Sequence, residues 1–169
     1  MTASAAKDAA SATIRLGSTP TRVVVSADGA RVYVLATDTT GAGTVSVIDA
    51  ATFTTIGAPI NVGAKPAGMA VSPDGSRLYV SNGTDSTVSV IDTATNTTIG
   101  APINVGINPA GVAVSQDGSR VYVTGGEPAF GIATLSVIDT STNKMIGAPI
   151  MIGEYNEFGG DGEIGRAHV

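Results

Sequence analysis

The residues of this 169-residue chain that are capable of chemistry fall into two sets, those that recur and those that occur once. Three aspartates, Asp28, Asp74 and Asp117, sit in Ser-x-Asp-Gly, and three more, Asp49, Asp92 and Asp139, close Ser-Val-Ile-Asp. Carboxylates beside backbone carbonyls are calcium-type ligands. One carboxylate per turn is too few to hold the ion, however, and a catalytic acid is needed once rather than three times. Asp-Gly, with Pro73 ahead of it in the second copy, is instead the chemistry of a tight turn. Arg31, Arg77 and Arg120 recur one turn later and are expected to lie exposed, to line a channel or to pair with a carboxylate of the adjacent unit.

The residues that do not recur are better candidates for a site. Asp38, Lys65, Asp85, Asn108, Glu127 and Phe130 fall in connecting segments, and Phe130 is one of only seven aromatics (four Tyr, three Phe). An aromatic on a loop beside Glu127 and Pro128 is a candidate anchor for a protein or glycan partner, although it can equally fold back over its own loop. These six are the expected ligand or partner residues. No catalytic residue, metal site or cofactor is expected: there is no cysteine, and the one histidine, His168, lies next to the end of the chain. Gly160-Asp161-Gly162-Glu163-Ile164-Gly165 has the spacing of a dinucleotide loop but not the strand, helix and downstream acid that such a loop requires. Glu163 to Val169 also read as the translation of a common sequencing adapter, so residues 163–169 are expected to be an artefact, within an irregular tail over 154–169.

The elements that position these residues are legible from repetition. Asp28-Gly29, Asp74-Gly75 and Asp117-Gly118 are spaced by 46 and 43 residues, and Ile-Gly-Ala-Pro-Ile begins at Ile56, Ile99 and Ile146. Each unit holds four short apolar runs separated by turn residues. A period of about 40–45 residues with four strands per unit is that of propeller blades. The expected fold is all-β: a partial β-propeller of three four-stranded antiparallel blades over 19–64, 65–107 and 108–153. An outer strand left over from a preceding blade is expected at 12–18, behind a disordered segment at 1–11. Length varies between repeats in one place, the connection between the second and third strands, which makes that end of the blades the variable face.

Composition agrees with this reading. The chain is 43% hydrophobic but 4% aromatic, with 22 glycines, so its core must be Val, Ile and Ala on a turn-rich backbone. Net charge is -5 with no basic cluster, which argues against nucleic acid. Residues 93–116 lack charge, but Pro102, Pro109, Asn96, Asn104 and Asn108 argue against membrane insertion, and no export signal is visible.

Tyr79-Val80-Ser81-Asn82, within Ser-Pro-Asp-Gly-Ser-Arg-Leu-Tyr-Val-Ser-Asn and followed by Thr87 to Thr95, resembles a blade of the YVTN-repeat β-propeller family. The resemblance runs from about Ile14 to Gly153, and the first and third copies depart from it as Leu35-Ala36 and Thr124-Gly125. It implies a surface or exported protein: extracellular, cell-surface or periplasmic. The expected function is a non-catalytic binding or scaffold propeller. An enzymatic propeller, resembling lactonases or quinone-dependent dehydrogenases with its active residues in other blades, is one alternative, and a surface-layer or adhesive array is another. Three blades cannot close a ring. The chain is therefore expected to self-associate through uncovered faces, with Val32, Val34 and Tyr33 at one end and Leu135, Val137 and Ile138 at the other.

Overall fold

A computed structural model describes residues 13–154. The segment expected at 1–11 and all but the first residue of the tail expected at 154–169, the adapter-like residues and the Gly-x-Gly-x-x-Gly run among them, lie outside the described residues; Glu154 itself ends a strand. Within 13–154 the structure is all-β, with a single 3-10 turn at Pro128–Phe130.

Three antiparallel sheets follow one another along the chain. The first holds β1 (Thr19–Val25), β2 (Arg31–Thr37), β3 (Ala42–Asp49) and β4 (Ile60–Ala64), paired in that order. In the second, β5 (Pro66–Val71), β6 (Arg77–Asn82) and β7 (Thr87–Asp92) are followed by β8 (Thr97–Thr98) and β9 (Ile103–Asn104), both paired to β7. The third repeats this with β10 (Val112–Val114), β11 (Arg120–Glu127), β12 (Ile132–Asp139), β13 (Lys144–Met145) and β14 (Ile150–Glu154). In the last two blades the outer strand is two short pieces, because Gly100-Ala101-Pro102 and Gly147-Ala148-Pro149 interrupt it. Proline has no N–H for the ladder, and the break is tolerated at the outer edge.

The turns form as their residues dictate. Gly29, Gly75 and Gly118 all have φ +72°, a conformation that costs a glycine nothing. Ahead of each, the serine hydroxyl bonds the aspartate, which accepts the N–H two residues on: Ser26 Oγ to Asp28 at 2.5 Å, and Ala30 N to Asp28 at 3.0 Å. The second and third turns repeat this geometry.

Alternation along each strand sends side chains to both sheet faces, and at the two internal junctions the facing sheets pack on each other. Tyr33, Leu35, Val45, Val47 and Ile60 meet Met69, Leu78, Val80 and Ile91 of the second blade. Tyr79, Val88, Val90 and Ile103 in turn meet Val121, Val123 and Ile138 of the third. This direction of packing corrects two expectations. Tyr33 and Ile138 are 1% and 0% exposed, because both point into the arc rather than out of its ends.

The strand expected at 12–18 is also corrected. Residues 13–18 are not in a strand, and β1 starts at Thr19. Ile14-Arg15-Leu16-Gly17 has the outer-strand pattern of Ile60 to Gly63, but among the described residues it has no third strand of its own blade to bond.

Candidate functional site

The up-and-down order of each sheet places the β2–β3, β6–β7 and β11–β12 connections on the same end as the links between blades, β4–β5 and β9–β10. All six expected site residues lie at this end, in two groups, one at each junction.

At the first junction, Asp38 accepts from Thr40 N at 2.8 Å, Thr40 Oγ1 at 2.6 Å and Ala42 N at 2.9 Å, so it closes its own loop. The Thr40 hydroxyl, then its N–H, holds the Asp38 carboxyl below the usual carboxylate range. Lys65 sits at φ +46°, with its N–H on Gly41 O at 2.8 Å and its carbonyl receiving Gly83 N at 3.0 Å. It thereby ties the variable loops of two blades through its backbone, while its side chain is exposed. Asp85 accepts Ala64 N at 2.7 Å, which pins the link between the blades.

At the second junction, Asn108, at φ +44°, donates Nδ2–H to Glu127 Oε2 at 2.9 Å. Phe130 ends the 3-10 turn and is 78% exposed, so it does not fold back over its loop. The carboxylates and the Asn108 amide therefore bind neighbouring chain, and the Lys65 ammonium and the Phe130 ring are the groups that face solvent.

The opposite end carries two clefts that the sequence did not single out. One, about 300 Å³, is lined by Ser26, Asp28, Arg31, Asp74 and Thr93, and the other, about 360 Å³, by Ser72, Asp74, Arg77, Asp117 and Thr140. They are the same groove at successive junctions. Arg31 Nη1 donates to Thr93 O across one, and Arg77 Nη1 to Thr140 O and, at 3.3 Å, to Asn143 Oδ1 across the other. The arginines thus reach the next blade, as one expectation had it, but they bond its turn carbonyls rather than a carboxylate. The aspartates here are strongly ionised. Ser72 Oγ–H, then Ser76 N–H, lowers Asp74 to about 2, and Ser115 Oγ–H, then Ser119 N–H, lowers Asp117 to about 2. Acids already saturated by local donors are poor general bases at neutral pH.

Ser81 and Asn82, which carry the repeat resemblance, are 0% exposed. Ser81 Oγ accepts Gly68 N at 2.8 Å and donates to Ala110 O of the next blade at 2.9 Å. Asn82 accepts Gly63 N and donates to Thr87 Oγ1 and Ser89 Oγ. Both act as internal staples, and burial rules out Asn82 as a glycosylation acceptor in the folded chain. Among the described residues no group of three or more His, Cys, Asp or Glu converges on one point. No helix among them is long and apolar enough to cross a membrane.

Three four-stranded blades, packed face to face in chain order with β1, β5 and β10 adjacent, define the class: an arc of a β-propeller. Residues 11–152 match the Cytochrome D1 heme domain family, and the chain belongs to that family. No curated protein matches it in sequence. Among solved structures it is similar to Kuenenia stuttgartiensis Hydrazine Synthase, at 29% identity and TM-score 0.72, over 88% of this chain and 40% of that one. It is also similar in fold to the RRP9 WD40 repeats, at 14% identity and TM-score 0.64, over 77% of this chain and 38% of that one. The chain thus spans well under half the length of either structure.

The family name implies a haem. Haem iron takes a His, Met, Cys or Tyr ligand. The described residues contain neither His nor Cys. Met69 is buried between blades, Tyr33 and Tyr79 line the two junction clefts but are only 1% exposed, Tyr122 and Met151 are exposed on the last blade away from either cleft, and neither cleft is lined by a methionine. These residues do not fit a haem site.

Proposed function

We propose that this arc is the binding and scaffold portion of an exported propeller of the YVTN-repeat kind, without catalysis of its own. The observation that carries the reading is the state of the polar groups. Asp38, Asp85, Asn108 and Glu127 hold loops and blade junctions together, and the cleft aspartates are saturated by their own turns. That leaves a rigid rim from which Lys65 and Phe130 project toward a protein or glycan partner. Location at a cell surface, outside the cell or in the periplasm accords with the repeat resemblance.

A second reading is favoured by the family and by the 29% identity to a hydrazine synthase. The whole protein would then be an enzymatic propeller, with this arc as the wall of a site whose reactive groups lie elsewhere. Absorption titration with haemin distinguishes whether these blades ligate haem themselves. The scaffold reading expects no saturating shift of the Soret band and no change on Tyr122→Phe. A stoichiometric complex with an axially ligated spectrum would overturn it. The rim is tested in parallel on a glycan and protein panel, where Phe130→Ser is expected to abolish any signal of the wild-type chain, and retained binding refutes the role of the ring.

A further inference from the structure

The two junction clefts, at the end of the blades opposite the rim, hold polar groups that the fold itself leaves unused. Each is walled by a tyrosine, an arginine and two aspartates: Tyr33, Arg31, Asp28 and Asp74 at the first junction, Tyr79, Arg77, Asp74 and Asp117 at the second. Both tyrosines are 1% exposed. Neither hydroxyl bonds to protein among the described residues, and neither is sealed in, since the fully buried side-chain polar atoms without a partner there are Asn96 Oδ1 and Thr134 Oγ1. Each hydroxyl therefore opens on its cleft, the free polar tip of a buried ring. Buried tyrosine hydroxyls ordinarily have a partner. Arg31 commits Nη1 to Thr93 O, and Arg77 commits Nη1 to Thr140 O and Asn143 Oδ1. Those bonds hold each guanidinium across its junction and leave Nε and Nη2 unbonded among the described residues, as donors for a ligand.

The walls select the ligand. Two carboxylates stand against one guanidinium in each cleft, which disfavours phosphate and carboxylate, while the fixed guanidinium disfavours an amine. Among the described residues no group of three or more His, Cys, Asp or Glu converges to hold a metal ion. Ser, Thr, Asp and Arg make up most of the lining, so an apolar molecule gains little there. A fixed donor beside a tyrosine hydroxyl, which both gives and accepts, is matched by ligand hydroxyls, which do the same. At about 300 and 360 Å³ the clefts stand at the small end of ligand sites, about 300–1,000 Å³, which suits one small ring in each.

We propose that each cleft takes one ring of a neutral polyol, either a free cyclic polyol or one sugar unit of a glycan chain. The ring's hydroxyls receive the unbonded N–H groups of Arg31 or Arg77 and bond the Tyr33 or Tyr79 hydroxyl, while Asp28, Asp74 and Asp117 keep anions out. Asp74 walls both clefts, so two linked sugar units can cross its turn and occupy both at once. The site lies at the other end of the blades from Lys65 and Phe130 and does not depend on them.

Saturation-transfer NMR on the 169-residue chain tests this, with myo-inositol and the methyl glycosides of glucose, mannose and galactose as probes. The expected result is saturable transfer to at least one of them, with a dissociation constant of about 1 mM for a ligand of this size. Tyr33→Phe and Tyr79→Phe remove only a hydroxyl that bonds nothing in the fold, so their thermal melts should match the wild type. The double variant should weaken binding about fivefold, the effect of one neutral hydrogen bond per site, and either single variant should fall between it and the wild type. Inorganic phosphate and spermine should not displace the probe. The disaccharide of the bound sugar separates the two sources: tighter binding assigns a glycan chain, and equal or weaker binding assigns free molecules. The proposal is overturned by a lack of saturable transfer to every probe, by full affinity in the double variant, or by displacement with either charged probe. A melt lowered by either tyrosine change would also overturn it, since the hydroxyl would then be bonded within the fold.

Discussion

Gly68, on the inner strand of the second blade, lies so close to the third blade that a Cβ there would sit 2.0 Å from Ala110 O and 3.0 Å from Ser81 Oγ. Its φ is outside the left-handed region, so Gly68→Ala has no conformational cost and its effect comes from space alone. The obstacle is a backbone carbonyl on a neighbouring strand, which cannot rotate away. Overpacking of this kind costs about 1–3 kcal/mol, and the rigid obstacle puts this site at the upper end. The shift that relieves the clash also breaks the bond from Ser81 Oγ to Ala110 O, adding about 1 kcal/mol. At about 2–4 °C per kcal/mol for a chain of this size, the melting temperature should fall by roughly 8–16 °C. Gly106→Ala is the internal control. Its Cβ meets Thr134 Oγ1 at 3.1 Å, a side-chain atom that no hydrogen bond holds and that need give by only about a few tenths of an ångström. The reduced freedom of the unfolded chain then offsets the contact, and the melting temperature should move by less than about 4 °C. Thermal and urea melts followed by circular dichroism read both variants. If Gly68→Ala melts as high as Gly106→Ala, the inner strands do not approach as described and the junction geometry is wrong.

Three further outcomes are expected. Phe53 stands at φ +56°, where its counterparts are Asn96 and Asn143, and a bulky side chain in that region costs about 1–2 kcal/mol. Phe53→Asn should therefore raise the melting temperature by about 2–8 °C, and a fall would show that the exposed ring contributes more than its backbone costs. Arg77→Ala removes the bonds to Thr140 O and Asn143 Oδ1 and should lower stability by about 1–3 kcal/mol in urea, while Arg120→Ala, measured on monomer, should change it by less than about 0.5 kcal/mol. Equal effects would refute the junction role of Arg77. Asp74 and Asp117 ionise near 2 in the fold against 3.8 for the free side chain, so their stabilising contribution is full above about pH 4 and is lost as pH falls toward 2. Urea midpoints should drop across that window, and Asp74→Asn together with Asp117→Asn should flatten the drop; an unchanged acid limb would mean that these turns do not set it.

The repeat made the blades legible, because a turn such as Ser-x-Asp-Gly and an alternating Val-Tyr-Val strand are local chemistry and read the same in any context. What the repeat could not give was direction. Alternation shows that Tyr33 and Val32 face opposite ways, but whether the tyrosine looks into the arc or out of it depends on the order of the blades around the ring. That order placed Tyr33 and Ile138 inside, against expectation. Residues 14–17 were readable as outer strand by pattern and fail to be one for want of a bonding partner, since a strand is a property of a pair. The site residues were legible as positions on one rim. Their hydrogen bonds were not, since Asp85 caps the backbone 21 residues earlier and Asn108 reaches a carboxylate 19 residues later.

Near-identity between repeats also creates a problem that the polar contacts address. Residues 54–63 and 97–106 are the same ten amino acids, so apolar packing alone would barely distinguish the first junction from the second. Each junction is instead marked by a different donor to the same acceptor: Arg22 Nε reaches Ala67 O at 3.0 Å, and Ser81 Oγ reaches Ala110 O at 2.9 Å. A blade in the wrong place would leave one of these groups without a partner, and at the Ser81 position that group is buried, where a missing bond costs about 1–3 kcal/mol. The departures from the tetrapeptide at Leu35-Ala36 and Thr124-Gly125 then have a structural meaning. Thr124 keeps the hydroxyl, which takes Gly111 N at 3.2 Å as Ser81 takes Gly68 N. Ala36 and Gly125, by contrast, leave the Asn82 staple to the second blade, so that correct order is favoured by the cost of the alternatives as well as by the contacts made.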